Sequence, residues 1–153
     1  MKKRMLILLV GPLFFIILSG CATVQPISTQ SGMPEITICG IGKSELMEKF
    51  AASFSMGGAN IRSTSNYQIV IGQPVTDPLV RALYRSGYDS NPESRAIFTF
   101  ADVGGCTYIG VRIQIVTNPG SGFERITDVS KGKDAYDLQQ ELERVKAAIE
   151  GKR

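Results

Sequence analysis

The chain of 153 residues contains no histidine. That absence removes Ser-His-Asp and Cys-His catalysis, histidine-ligated zinc, and pH switching by an imidazole. Cysteine is scarce as well, with only Cys21, Cys39 and Cys106, too few for a thiolate metal site. A surplus of one charge is missing once the N-terminus is set apart. Lys2, Lys3 and Arg4 supply three of the 17 Lys and Arg, and the remaining 14 face 14 Asp and Glu. No basic stripe is left for a phosphate backbone, so nucleic acid is not an expected partner. Internal repeats and low-complexity tracts are absent too. No metal, cofactor or catalytic residue is expected.

What is present begins with a leader. Met1-Lys2-Lys3-Arg4 is a positively charged start, Met5 to Leu18 is an apolar run, and small residues then precede a cysteine. This is the three-part layout of a secretory signal. Gly11 and Pro12 interrupt the run, which falls short of the roughly 20 apolar residues of a permanent span. Leu18-Ser19-Gly20-Cys21 resembles the lipobox of bacterial lipoproteins. The resemblance implies that residues 1–20 are removed and that the Cys21 thiol carries diacylglycerol, a membrane anchor made effectively permanent by its acyl chains. Ala22, in place of an aspartate, implies the periplasmic face of the outer membrane if the source is Gram-negative. The alternative is an ordinary signal peptide with a chance cysteine.

Residues 21–33 read as a lipidated tether, with Thr, Gln, Ser, Gly and Pro and without an apolar period. Residues 34–153 suit a single periplasmic domain with one core. Cys39 and Cys106, an even pair in an oxidising compartment, suggest a disulfide. Each lies opposite the apolar face of its strand: Ile36 and Ile38 alternate against Cys39, and Ile109, Val111, Ile113 and Ile115 against Cys106. Antiparallel pairing of the two strands would bring the sulfurs together. Two independent small core residues are the other possibility.

A short strand over 36–39 is followed by a Gly40-Ile41-Gly42 turn and a helix that Ser44 can cap. Leu46, Met47, Phe50, Ala51 and Phe54 form its apolar stripe, and Gly57-Gly58 ends it. Strands are expected over 60–64 and 67–72, a short helix after Thr76-Asp77-Pro78, and a Gly104-Gly105 hairpin joining strands 96–103 and 106–117. Residues 123–129 form an edge strand or a packed irregular segment. The final helix, 134–151, turns Ala135, Leu138, Leu142, Val145 and Ile149 to the core. The order β-α-β-β-α-β-β-(β)-α is α+β: an antiparallel sheet with helices packed on one face. The same order, with its two Gly-Gly turns and terminal amphipathic helix over roughly residues 34–150, is similar to the helix-grip domains of outer-membrane assembly lipoproteins such as BamC.

Some motifs imitate chemistry. Gly40-Ile41-Gly42-Lys43-Ser44 ends like a phosphate-binding loop, but the required upstream glycine is Thr37, inside the strand, so the loop is too short. Ile97 to Asp102 imitates a magnesium-holding strand, yet it runs into a hairpin rather than a parallel crossover. The carboxylate pairs Glu124/Asp128 and Asp89/Glu93 read as solvated loop charges. Phe123 and Arg125, after the Asn118-Pro119-Gly120-Ser121-Gly122 break, are the candidate partner-binding residues, since both types are enriched at binding hot spots. The bland alternative tucks Phe123 into the core and pairs Arg125 with an acid.

The function expected is that of a non-enzymatic, partner-binding accessory of the cell envelope, held to the membrane through Cys21 and meeting an envelope protein. The alternative is a carrier of a small apolar ligand such as a lipid, which needs a cavity of a few hundred Å³ lined by residues like Phe98, Phe100, Ile113 and Leu142. A carboxylate hydrolase is a third possibility.

Overall fold

The computed structural model describes residues 27–85, 87 and 91–151. The leader, the lipobox with Cys21, and Asp89 lie outside the described residues. The elements are β1 (Glu35–Cys39), α1 (Lys43–Met56), β2 (Asn60–Thr64), β3 (Gln68–Pro74), α2 (Pro78–Tyr84), β4 (Glu93–Val103), β5 (Cys106–Thr117), β6 (Arg125–Asp128) and α3 (Lys133–Glu150). They form an α+β fold with one antiparallel sheet of six strands, ordered β1-β5-β4-β3-β2, with β6 also on β5.

β5 is the hub. Its whole length pairs with β4, from Val103↔Cys106 to Glu93↔Val116. On its other edge two short strands lie end to end: β1 covers Cys106–Gly110 and β6 covers Gln114–Thr117. The period-2 alternation of β5 sends Thr107, Ile109, Val111, Ile113 and Ile115 to one face, all of them buried. That face carries the core. Phe98 and Phe100 of β4, Ile69 of β3, and Ile36 and Ile38 of β1 meet Leu46 and Phe50 of α1 and Leu142 of α3 there. Phe50 sits edge-on to Phe100 with ring centroids 5.6 Å apart, a favoured aromatic geometry.

The gap between β1 and β6 leaves backbone groups of β5 that a regular ladder would satisfy. The Val111 amide donates to the Pro34 carbonyl at 2.8 Å, and the Ile113 amide to the Ser130 hydroxyl at 2.9 Å. The free edge of β1 is closed by α3. Gln139 accepts the Glu35 amide at 2.8 Å and donates to the Glu35 carbonyl at 3.1 Å, and Glu150 accepts the Cys39 amide at 3.1 Å. These side chains do for an edge strand what a neighbouring strand would otherwise do.

The opposite, outer face of the sheet is more polar, and two glycines make room on it. A Cβ at Gly72 would stand 2.3 Å from Glu93 Oε1, and one at Gly110 would stand 2.7 Å from the Tyr108 hydroxyl. Glu93 therefore lies over β3, its side chain only 5 % exposed, bridged by Arg62 and Arg95. The expectation of a solvated Glu93 fails here because β4 starts at this residue and its pleat turns the carboxylate onto the sheet.

Other boundaries shift for local reasons. α1 begins one residue before Ser44, with Gly42 as an extended N-cap and no side-chain cap; Lys43 instead reaches Asp102 across the turn at 3.3 Å. α2 is capped as expected, the Asp77 carboxylate accepting the amides of Leu79 and Val80 at 2.8 and 3.1 Å. Residues 123–129 shorten to the four of β6.

Cys39 and Cys106 are register partners and form a disulfide, with Cα atoms 4.2 Å apart and a sequence separation of 67. Closing a loop of that length restricts the unfolded chain by about 4 kcal/mol in the chain-entropy account. Replacing both cysteines by serine is expected to lower the unfolding free energy by about that amount, read from urea unfolding with the m-value fitted separately for each variant, since the freed unfolded chain exposes more surface; a loss below about 1 kcal/mol would contradict it.

Candidate functional site

α1 packs on β2, β3 and β4, whereas α3 packs on β1. Two helices thus lie over one face of the sheet with a strip between them, and that strip is a groove. In α1 the residues that turn toward it are Lys49, Ser53 and Phe54, one step around the helix from the core residues Leu46 and Phe50. In α3 the facing side chains are Leu138, Glu141, Val145 and Ile149. Phe98 and Leu142 lie deeper, and Phe54 packs against Phe98 at a tilt of 46° with centroids 4.8 Å apart. The groove is open to one side and has a volume of about 180 Å³. A second hollow of about 330 Å³, bounded by Gly40, Ile41 and Ala148, shares Lys49 and Ile149 with it, so the groove runs on toward the hairpin end of the sheet.

Its chemistry is apolar below and charged at the lip. Lys49 pairs with Glu45 at 3.3 Å, and Glu141 pairs with Arg144. Both pairs are exposed and hold the lip polar while the floor stays greasy. No family model matches the chain, and no curated protein or solved structure is significantly similar to it. The assignment of this groove therefore rests on its geometry.

The residues expected to line a carrier cavity divide. Phe98 and Leu142 do reach the groove; Phe100 is sealed in the core, and Ile113 is buried farther along β5 where Ser130 bonds its backbone. The volume of about 180 Å³ between the helices is by itself below the range of about 300–1,000 Å³ usual for small-molecule pockets, and the groove enters that range only together with the adjoining hollow of about 330 Å³.

Phe123 and Arg125 lie elsewhere, at the end of the sheet where β5 passes into β6. Phe123 is 80 % exposed, so it does not tuck into the core. Arg125 is exposed and has no acidic partner among the described residues. The loop that presents them is nonetheless braced. Glu124 pairs with Arg95 at 3.5 Å and accepts the Gly120 amide at 2.7 Å, while the Phe123 amide donates to Ser121 at 3.2 Å. Glu124 is thus not a solvated charge, and it does not converge with Asp128, whose carboxylate instead accepts the Ser130 amide at 2.9 Å. Among the described residues no three His, Cys, Asp or Glu side chains gather as a metal site, and no helix is long and apolar enough to cross a membrane.

The outer face holds one strongly perturbed pair. Burial, and then the Glu35 carboxylate that accepts its proton at 2.9 Å, push Tyr108 up to about 12. Burial raises Glu35, but hydrogen bonds from Ser31 and Tyr108 outweigh it and hold the carboxyl below its usual value. Sequence reading missed this pair, because a Glu and a Tyr 73 residues apart become neighbours only through the β1–β5 register. The stabilisation from Tyr108 is complete below its unfolded value of about 10 and is lost as pH rises through about 12. That from Glu35 is complete above its unfolded value and is lost as pH falls through the depressed folded one. Alkaline titration of tyrosinate absorbance is expected to show a step near pH 12 that Tyr108→Phe abolishes; an unchanged profile would contradict the pairing.

Proposed function

We propose that the chain is a lipid-anchored, non-enzymatic accessory module of the cell envelope, and that it docks an apolar segment of an envelope protein in the groove between α1 and α3. The observation that carries this reading is the groove itself: an apolar floor of Phe98, Phe54 and Leu142 between two helices, with charged lips. An amphipathic helix laid along such a groove buries its apolar anchors at intervals of three or four residues. The lack of histidine supports the non-enzymatic part. The lipobox at Leu18–Cys21 supports the anchor, and with it placement at the periplasmic face of an outer membrane in a Gram-negative cell.

The test is photocrosslinking in intact cells. A photoreactive residue at Glu141, on the lip, is expected to give one discrete protein adduct in the membrane fraction, and the same residue at the exposed edge position Thr64 is expected to give none. Ser53→Trp, which fills the groove from an exposed position of α1, is expected to lower the Glu141 adduct at least about tenfold while the protein unfolds at the same temperature, a loss of about 1.4 kcal/mol in docking. An adduct that survives the filled groove would contradict the proposed site. The intact mass of the same membrane-extracted protein reads the anchor: residues 1–20 absent and acyl chains on Cys21.

A further inference from the structure

We propose that the end of the sheet carrying α2 and the 118–126 segment is a second membrane contact that lays the domain on an anionic phospholipid surface. The register puts these parts together. Pro74 at the end of β3 pairs with Glu93, Glu93 with Val116, and Val116 with Ile126. α2 follows Pro74 and the Phe123 loop precedes Ile126, so both project from the same end.

What they present is apolar and uncovered. α2 has no buried residue, and Leu79 and Leu83, one turn apart, are 70 % and 72 % exposed. Across the sheet end stand Phe123 at 80 % and Ile126 at 52 %. Isolated exposed leucines are ordinary, but two pairs of large exposed apolar side chains at one end of a small fold, on elements three strand spacings or about 14 Å apart, offer two contact points to an extended surface. These points are held out by structure: Asp77 caps α2, and the braces on Glu124 and Ser121 fix the loop under Phe123.

Charge selects the occupant. Arg81 and Arg85 on and just after α2, and Arg125 beside Ile126, lie at the same end of the sheet, all exposed and in no ion pair with a described carboxylate. The acids described at this end are engaged: Asp77 in the cap, Glu93 between Arg62 and Arg95, and Glu124 with Arg95. Arginines beside exposed Leu, Phe and Ile match an interface with acyl chains below and anionic headgroups above. Reach agrees. Ile27 is six residues after Cys21, a span of about 20 Å at most. From Val111, where Pro34 joins the sheet, to Thr117 is about another 20 Å of strand. The tether before Ile27 is thus about as long as the stretch of strand between Pro34 and this end, which leaves the domain free to tilt this end toward the bilayer that holds Cys21. Only this reach argument rests on the lipid-anchor reading; composition and exposure stand without it.

The experiment uses the full lipoprotein in vesicles without other proteins. An environment-sensitive dye is placed on Ala82→Cys in α2 or, as control, on Tyr67→Cys at the opposite end of β3. In vesicles of phosphatidylglycerol and phosphatidylethanolamine, the Ala82 dye is expected to shift to the blue and be quenched by brominated acyl chains, with the Tyr67 dye unaffected. Each arginine near an anionic surface contributes a few-fold, so replacing Arg81, Arg85 and Arg125 by alanine is expected to lower the docked-to-free ratio on the order of 100-fold. A dye at Ala82 that stays unshifted on protein that floats with the vesicles would overturn the proposal. Protein that does not float at all would instead contradict the anchor. An Ala82 dye unquenched in vesicles, with a protein adduct at Phe123 in cells, would assign this end to a protein partner.

Discussion

Everything in this fold depends on one strand having two usable edges. β5 lies against β4 along its full length and is shared on the other side by β1 and β6, which meet it at opposite ends. Between them the chain keeps the hydrogen-bond ladder intact with a proline carbonyl and a serine hydroxyl. A buried strand with orphaned amides would lose on the order of 1–3 kcal/mol per group. The Pro34 and Ser130 bonds are therefore as structural as the strands they replace.

From that strand the rest follows in order. Alternation along β5 makes one face apolar, and that face takes both helices. The edge of β1 is closed by Gln139 and Glu150, which pins α3 over β1 and away from α1. The groove is what remains uncovered between two helices placed by different constraints: α1 by its Phe50 cluster over β3 and β4, α3 by its bonds to an edge strand. Its floor is Phe98, a buried core residue of β4 on which Phe50 and Phe54 of α1 pack.

The parts legible in sequence were those with a strong local period or local turn chemistry. The apolar stripe of α3, the alternation of β5, the Asp77-Pro78 start of α2 and the facing of Cys39 and Cys106 all follow from spacing within a few residues. The parts that were not legible depend on pairs far apart. Glu93 looked like a loop acid because its partner Arg62 lies 31 residues earlier and the space for it is the missing side chain of Gly72. Gln139 lies beside the apolar stripe of α3, and nothing local in sequence shows that an edge strand needs its amide. The groove was equally hidden. Sequence spacing says which face of a helix is apolar, and it does not say how far apart two helices will sit. Phe123 shows the opposite limit: an apolar residue in a loop is consistent with a core contact or a solvent-facing one, and only the braces around it decide.

Native-state amide hydrogen exchange measures the central dependence on β5 most directly, because it reads the free energy of opening at each backbone group. The amides of Val111 and Ile113 are expected to exchange only through global unfolding, together with those of the β4–β5 ladder. Those of α2, which buries no side chain, are expected to exchange at least about a hundredfold faster. Val111 and Ile113 exchanging as fast as α2, or opening while β4 stays protected, would contradict the account.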